Sequence, residues 1–352
     1  MTTISELAGQ LKKRYSTVRR QSINSLLSTL GKDNNLRKLM TDDAFAKKIT
    51  SLLSLMKVYQ DPSSQSEALD IILASPVYSR LDEEESKTNN DDYTDRLVKQ
   101  LLKWFKEEFF TWVNKPDCPK CGNTDQNTIQ QVTPWRPYKK EHFEGNAGVI
   151  ERYRCEVCNH TIEFPRYNNP STLLKTRSGR CGEWDNCFIL LLKSLGLKVR
   201  YLWNMEDHVW CEYYSTNLDR WVHLDCCENS FDNPLLYNRG WAKKMSYIFA
   251  ISDYYIRDVT DKYIDKDLER TIPRDKMSED NLAKLLALLD LSMLSKIQDP
   301  DLLLEVSSDL IHDYRTMKGT SAKLSSSRTQ EIMIPRQSGS VQWTSQRGEN
   351  GH

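Results

Sequence analysis

Three stretches decide the reading of this chain: SGRCGEWDNCF at 178–188, EDHVWCEYY at 206–214 and RWVHLDCCE at 220–228. Within 45 residues they place Cys181, His208 and Asp225 on the elements that nucleophilic chemistry needs. From Arg180 to Leu195 the apolar residues Trp184, Phe188, Leu191, Leu192 and Leu195 recur at helical spacing, and Gly196 follows as a terminator. Cys181 therefore falls in the first turn of a helix, where the macrodipole and free backbone N–H groups favour a thiolate. Leu197–Trp203, His208–Tyr214 and Arg220–Asp225 read as short strands, the last two joined by the polar stretch Ser215–Asp219. A hairpin about the middle of that stretch pairs residues whose numbers sum to about 433, with His208 opposite Asp225. The two-residue period puts His208, Trp210 and Glu212 on one face, and Trp221, His223 and Asp225 on one face of the next strand. Nucleophile on a helix start, base on a strand and carboxylate across the ladder is the general form of a Cys–His–Asp triad. Taken singly, each has a plainer reading: a small buried cysteine, a satisfied sheet histidine, a turn aspartate. The combination favours the triad.

The remaining cysteines divide into two kinds. Cys118-Pro-Lys-Cys121 and Cys155-Glu-Val-Cys158 form two CxxC pairs, followed by Gly-Asn and Asn-His, turns that let both sulfurs of a pair face one ion. One structural zinc ion, two disulfides and a redox pair all compete for these four residues. Zinc is favoured, because the spacing suits a closed tetrahedral site, nine cysteines leave one unpaired, and no secretory signal is legible at the N-terminus. Four thiolates leave no open position for chemistry at the metal, and they make His142 and His160 unnecessary as ligands. Cys187, Cys211, Cys226 and Cys227 sit in apolar or aromatic patterns and read as packing residues.

Composition narrows the function. The 352 residues carry 49 basic and 49 acidic side chains, so no overall field draws the chain to nucleic acid or to a membrane. No apolar run approaches the roughly 20 residues that span a bilayer. Free thiols and zinc suit a reducing compartment, the cytosol or the nucleus.

Along the chain, ELAGQLKKRYSTVRRQ near the N-terminus places Leu7, Leu11, Tyr15 and Val18 at helical spacing among Lys12, Lys13, Arg14, Arg19 and Arg20. This basic amphipathic helix is open to three readings: partner docking, packing on its own domain, or a membrane surface, the last the weakest. Residues 34–58 read as a second helix, Asp82–Asp92 as a solvated loop, and Tyr93–Val113 as a strong helix. LAKLLALLDLSML and DLLLEVSSDLIHDY read as two late helices broken at Asp299-Pro300. Composition alone makes the tail after Gly319, rich in Ser, Arg and Gln, disordered. The expected divisions are 1–60 (N-terminal helices), 61–114 (helical part of the core), 115–165 (zinc subdomain), 166–265 (triad core), 266–318 (C-terminal helices) and 319–352 (tail).

LLKWFKEEFFTWVNKPDCPKCG, RYRCEVCNHTIEFPRYN, the three triad stretches, GWAKKMSYIFAISDYYIRDVTDKY and RQSGSVQWTSQRGE together resemble one family. It is the cytoplasmic peptide:N-glycanases, transglutaminase-like amidases, in their short fungal form. The likeness runs from about Tyr93 to the end and includes the tail at 336–349, which argues against simple disorder there. It implies an α+β, papain-like transglutaminase core with an inserted four-cysteine zinc subdomain and helical flanks. It also implies removal of N-linked glycans from misfolded glycoproteins returned to the cytosol, with Asn converted to Asp. Cys181 would attack the Asn carbonyl, His208 would move the proton, and Asp225 would orient the imidazole. Backbone N–H groups near Cys181 would serve the oxyanion, with an indole N–H of Trp112 or Trp210 as a second donor. Trp112, Trp210 and Glu212 are candidates for substrate contact. The partner implied for the N-terminal helix is a ubiquitin receptor that shuttles substrates to the proteasome. The alternatives are a protease or amine-transferring transglutaminase with the same triad, and an inactive transglutaminase-like binding module of the kind found in DNA-repair proteins.

Overall fold

The computed structural model describes residues 4–85, 93–265, 267–268, 271–324, 336–347 and 349. The helices are α1 (Ile4–Leu30), α2 (Asn34–Asp42), α3 (Ala44–Leu52), α4 (Pro62–Leu73), α5 (Val77–Glu85), α6 (Tyr93–Trp104), α7 (Lys140–Glu144), α8 (Pro170–Thr176), α9 (Cys181–Ser194), α10 (Thr260–Tyr263), α11 (Glu279–Leu294), α12 (Pro300–Leu324) and α13 (Val341–Gln346). The strands are β1 (Thr111–Trp112), β2 (Ile129–Trp135), β3 (Ile150–Cys155), β4 (Thr161–Pro165), β5 (Ser178–Gly179), β6 (Val199–Asn204), β7 (His208–Ser215), β8 (Arg220–Asp225), β9 (Ser230–Phe231), β10 (Ile248–Ile251) and β11 (Ile256–Asp258).

Four expected elements change. The helix expected over 34–58 is two, because extended Asp43 ends α2 and its carboxylate accepts the Ala46 N–H as the cap of α3. The helix expected over Tyr93–Val113 stops at Trp104, passes through a wide turn at Phe105–Phe109, and becomes β1. Residues 82–85 of the expected acidic loop belong to α5, and 86–92 lie outside the described residues. In the tail, α12 runs on to Leu324, and 336–347 carry α13; residues 325–335 are outside the described set.

Contacts divide the chain into two interleaved units, one drawn from 1–56, 200–206 and 244–330, the other from 57–199, 207–243 and 331–352. In the first, β10 pairs antiparallel with β6 and with β11, and α1 packs on α11 and α12. Its core includes Ile23, Ile49, Leu202, Phe249, Leu285 and Leu303. The stripe expected on α1 is not part of that core: Leu7, Leu11, Tyr15 and Val18 are 53, 60, 36 and 55% exposed.

The second unit holds the candidate centres. There β7, β8 and β9 form an antiparallel run, and α9 packs against β7. Helix α9 is buried along most of its length, with Trp184 and every residue from Cys187 to Leu192 in the core and Glu183, Asp185 and Asn186 buried among them. Gly196 ends it in the left-handed region at φ 72°. A separate three-stranded sheet, β2–β3–β4, carries the two CxxC turns around a small core of Cys118, Ile129, Tyr153, Cys155 and Ile162. No described helix is long and apolar enough to cross a membrane.

Candidate active site and metal centre

The CxxC turns are two copies of one local design. Gly122 N–H donates to Cys118 O at 2.9 Å, and Asn159 N–H to Cys155 O at 2.8 Å. Gly122 and Asn159 lie in the left-handed region, at φ 70° and 56°, the conformation those residue types tolerate best. The four sulfurs of Cys118, Cys121, Cys155 and Cys158 fall within 4.8 Å of one another, with 3.5 Å between Cys118 and Cys158 and 3.7 Å between Cys121 and Cys155. Those separations are far longer than an S–S bond of about 2.05 Å. They approach the roughly 3.8 Å edge of a tetrahedron with metal–sulfur bonds of about 2.3 Å. The donor set fits a closed metal centre and excludes the disulfide reading. His142 is buried and turned away to its own helix, its Nδ1 accepting from Tyr138 and Lys139 N–H at 3.4 Å each.

A largely buried ion network ties this sheet to the start of α9. Glu151, on β3, accepts from Arg180 Nη1 and Nη2 at 2.9 and 2.8 Å and from Arg166 Nη1 at 2.7 Å. Arg166 in turn grips Glu183 through two bonds of 2.6 and 2.8 Å, and Glu183 accepts the Arg180 N–H at 3.0 Å. Arg180 also donates to Val113 O and Asn114 O, each at 3.0 Å. Burial works against a charged Glu151, but Arg180, Tyr153 and Arg166 outweigh it and hold its carboxyl at about 2. Every bond in this network ends within two residues of Cys181 or on the sheet that carries the metal cysteines. It fixes where α9 begins.

His208 and Asp225 meet as expected, by a different register. The pairs of β7 and β8, from Cys211–Leu224 to Ser215–Arg220, sum to 435. Ser215 belongs to the strand, and a four-residue loop, Thr216 to Asp219, closes with Asp219 in the left-handed region. His208 thus lies diagonally from Asp225, two places off, and its Nε2 still reaches Asp225 Oδ2 at 3.2 Å. Asp225 is locked from three further sides: Cys227 N–H and Glu228 N–H donate to Oδ1 at 2.9 and 3.1 Å, and Tyr237 OH donates to Oδ2 at 3.0 Å. The imidazole is walled by Trp210, Tyr237 and Trp241 at centroid distances of 5.5, 4.9 and 5.1 Å. Its Nδ1 is buried without a hydrogen-bond partner among the described residues. Of the two ring nitrogens, only Nε2 is engaged by Asp225.

Cys181 opens α9 and keeps partial exposure. The thiolate expected from its helix position meets a stronger opposing effect, because burial pushes the thiol up. Burial, followed by the charge of Arg336, pushes the His208 imidazolium well down. Both shifts favour the neutral forms, the Cys181 thiol and the His208 imidazole.

The other expected contacts are placed differently. Trp210 and Glu212 share the His208 face but are fully buried, so neither offers surface to a sugar. Trp112 is half-buried on β1, opposite Gly179, and its indole N–H is already donated to Asn114 Oδ1 at 3.0 Å. The oxyanion donor expected of Trp112 is thus committed elsewhere. Tyr237, Trp241 and the segment 336–349 were missed as site residues, although the last was singled out as a motif. Glu228 accepts from Gln337 N–H, Ser338 N–H and Ser338 Oγ, pinning that segment beside Asp225. Glu349, fully buried, accepts from Lys243 at 2.7 Å, Arg336 at 2.6 Å and Arg347 at 3.3 Å.

Residues 138–226 match the transglutaminase-like superfamily, and residues 204–300 match the Rad4 transglutaminase-like domain. The peptide-N(4)-(N-acetyl-beta-glucosaminyl)asparagine amidase of Kluyveromyces lactis is 40% identical over 358 residues, covering 100% of both chains. That of Saccharomyces cerevisiae is 41% identical over 307 residues, covering 84% of this chain and 83% of the relative. Among solved structures, Rad4–Rad23 crosslinked to undamaged DNA aligns over 86% of this chain and 60% of its own, at 11% identity and a TM-score of 0.45.

Proposed function

The chain belongs to the peptide-N(4)-(N-acetyl-beta-glucosaminyl)asparagine amidases, and from that membership we propose that it hydrolyses the amide joining N-acetylglucosamine to an Asn side chain. The observation that carries the reading is the His208–Asp225 pair, with Nδ1 of His208 unpaired and Cys181 at the start of the helix packed on β7. Cys181 gives its proton to His208 Nδ1 as the substrate carbonyl arrives, and sulfur attacks the carbonyl carbon. The C–N bond then breaks, the imidazolium returns the proton to nitrogen, and the glycan leaves as a glycosylamine. Water, deprotonated by His208, cleaves the thioester and releases Asp. Asp225 keeps Nε2 protonated and stabilises the imidazolium.

The ion held by the four cysteines is zinc in this reading. Sulfur-only ligation suits it, and its service is to fix the β2–β3–β4 sheet. The substrates are unfolded N-glycoproteins in the cytosol, with the nucleus as a second location. The exposed Leu7–Leu11–Tyr15–Val18 stripe, set among cations, supports docking of α1 to a ubiquitin-receptor shuttle protein. Incubation with a denatured high-mannose glycoprotein tests the activity. A mobility shift with a gain of about one dalton at each former glycosylation site is expected for Asn-to-Asp conversion by this chemistry. Glycan release without that gain, or no release, overturns the assignment.

A further inference from the structure

We propose that the buried guanidinium of Arg336, backed by Arg347, is the electrostatic partner of Cys181, stabilising negative charge first on the sulfur and then on the attacked carbonyl oxygen. This deepens the amidase reading and rests on it. The Arg336 side chain has no exposed surface, and a buried cation normally satisfies its donors. Nη1 donates to Glu349 at 2.6 Å and Nε to Ser338 Oγ at 3.0 Å, whereas Nη2 is buried without a partner among the described residues. Three indoles cage the cation, Trp112, Trp241 and Trp343, with centroids at 5.2, 4.8 and 4.6 Å. Trp241 is also a wall of His208, and Trp112 pairs with Gly179, two residues before Cys181. The one unpaired donor is thus caged between the wall of the base and the strand that leads to the nucleophile.

The charges around the dyad agree in sign. Arg336 and then Arg347 favour an anion at Cys181, against burial, Asp207 and Glu183. Arg336, Lys243 and Arg347 disfavour the His208 imidazolium, opposed by Glu349 and faced by Asp225 from β8. Cations that stabilise an oxyanion therefore also make the imidazolium a stronger acid. Both effects promote cleavage of the C–N bond, because negative charge is held on oxygen while the proton moves to the leaving nitrogen. Residues 336–347 and Glu349 are then part of the active centre. A purely structural Arg336 would instead only pin that segment to Glu228 and Glu349.

The test is alkylation of Cys181 by iodoacetamide in the full chain, followed on the Cys181 peptide by mass spectrometry across pH. In Arg336→Gln the midpoint should rise by about one unit, with kcat/KM for deglycosylation down about a hundredfold. Arg336→Lys keeps the charge but not the fork, so its midpoint should stay near that of the unsubstituted protein and its turnover should fall less. Arg347→Met, nearer the rim, should raise the midpoint by a smaller amount. A folded Arg336→Gln protein with an unshifted midpoint overturns the proposal. If that variant does not fold, an unshifted midpoint in Arg347→Met overturns it equally. Alkylation needs no glycoprotein, so failure of the amidase reading would appear separately, as absent deglycosylation with the alkylation shift intact.

Discussion

The four-cysteine centre and the centre around Cys181 both depend on cysteine sulfur and sit in the same unit, yet they are assembled in opposite ways. Each CxxC turn is made by residues within six positions of one another, closed by two backbone hydrogen bonds and one left-handed residue. Only one pairing, turn against turn, remains for the tertiary structure to supply. The Cys181 centre draws on a helix start, two strands, the loop that carries Tyr237 and Trp241, and a segment more than 150 residues beyond the nucleophile. A metal needs its ligands at one bond length and little else. A nucleophile needs neighbours whose charges are matched to each step, and those come from wherever the fold can bring them. Between the two lies Glu151, which shares a strand with Cys155 and holds the arginine that precedes Cys181.

The comparison breaks first at the two kinds of cysteine. Cys181→Ala should lower deglycosylation by about 10⁴-fold or more while melting temperature is kept, since Ala suits a first helical turn. Loss of fold on that substitution, or retained turnover, would remove the distinction. Cys155→Ser should release the metal and lower stability by several kcal/mol, roughly the effect of losing a structural ion, with activity falling as the folded fraction falls. Metal analysis beside thermal melting checks it; an intact metal content, or a stable metal-free protein, counts against the closed site.

Glu151→Gln sharpens the link between the centres. It should keep the metal but lower stability by about 3 kcal/mol, because the largely buried Arg180 guanidinium loses its charge partner and Arg166 keeps only Glu183. It should also lower kcat/KM about tenfold through misplacement of the start of α9. Equal activity in the folded protein would show that the metal sheet and the nucleophile are independent. The smallest effect is in acid. The Glu151 carboxyl is held near 2 in the folded protein against 4.5 as its ordinary value, so the unfolded chain takes up the proton first. Its contribution is complete above about pH 4.5 and is lost as pH falls toward about 2. Stability of Glu151→Gln should therefore be less steep than that of the unsubstituted protein across this window, as followed by urea melts at successive pH values.

Legibility in the sequence followed the same divide. Helix α9, the strands β7 and β8 and both knuckles came from local periodicity and turn chemistry, and each lies within two residues of its expected place. The helix expected over 34–58 was misread because a single aspartate can cap two helices at once, which periodicity does not report. The hairpin register missed by two in the sum, since one serine at a strand end moves the centre of the turn. The His208–Asp225 contact survived that error because side chains reach diagonal as well as direct neighbours.

The sequence by itself determined the chemistry of both centres: which residue could be nucleophile, base or carboxylate, and which four sulfurs could hold an ion. Those follow from residue types and short spacings, where the chain has few conformations to choose from. The tertiary structure decided what acts on them. Burial that pushes the Cys181 thiol up, the network through Glu151 and the three-indole cage around Arg336 all involve groups far apart in the chain. Desolvation and Coulomb interactions depend on distance in space and on what surrounds a group, and no spacing along the chain specifies either.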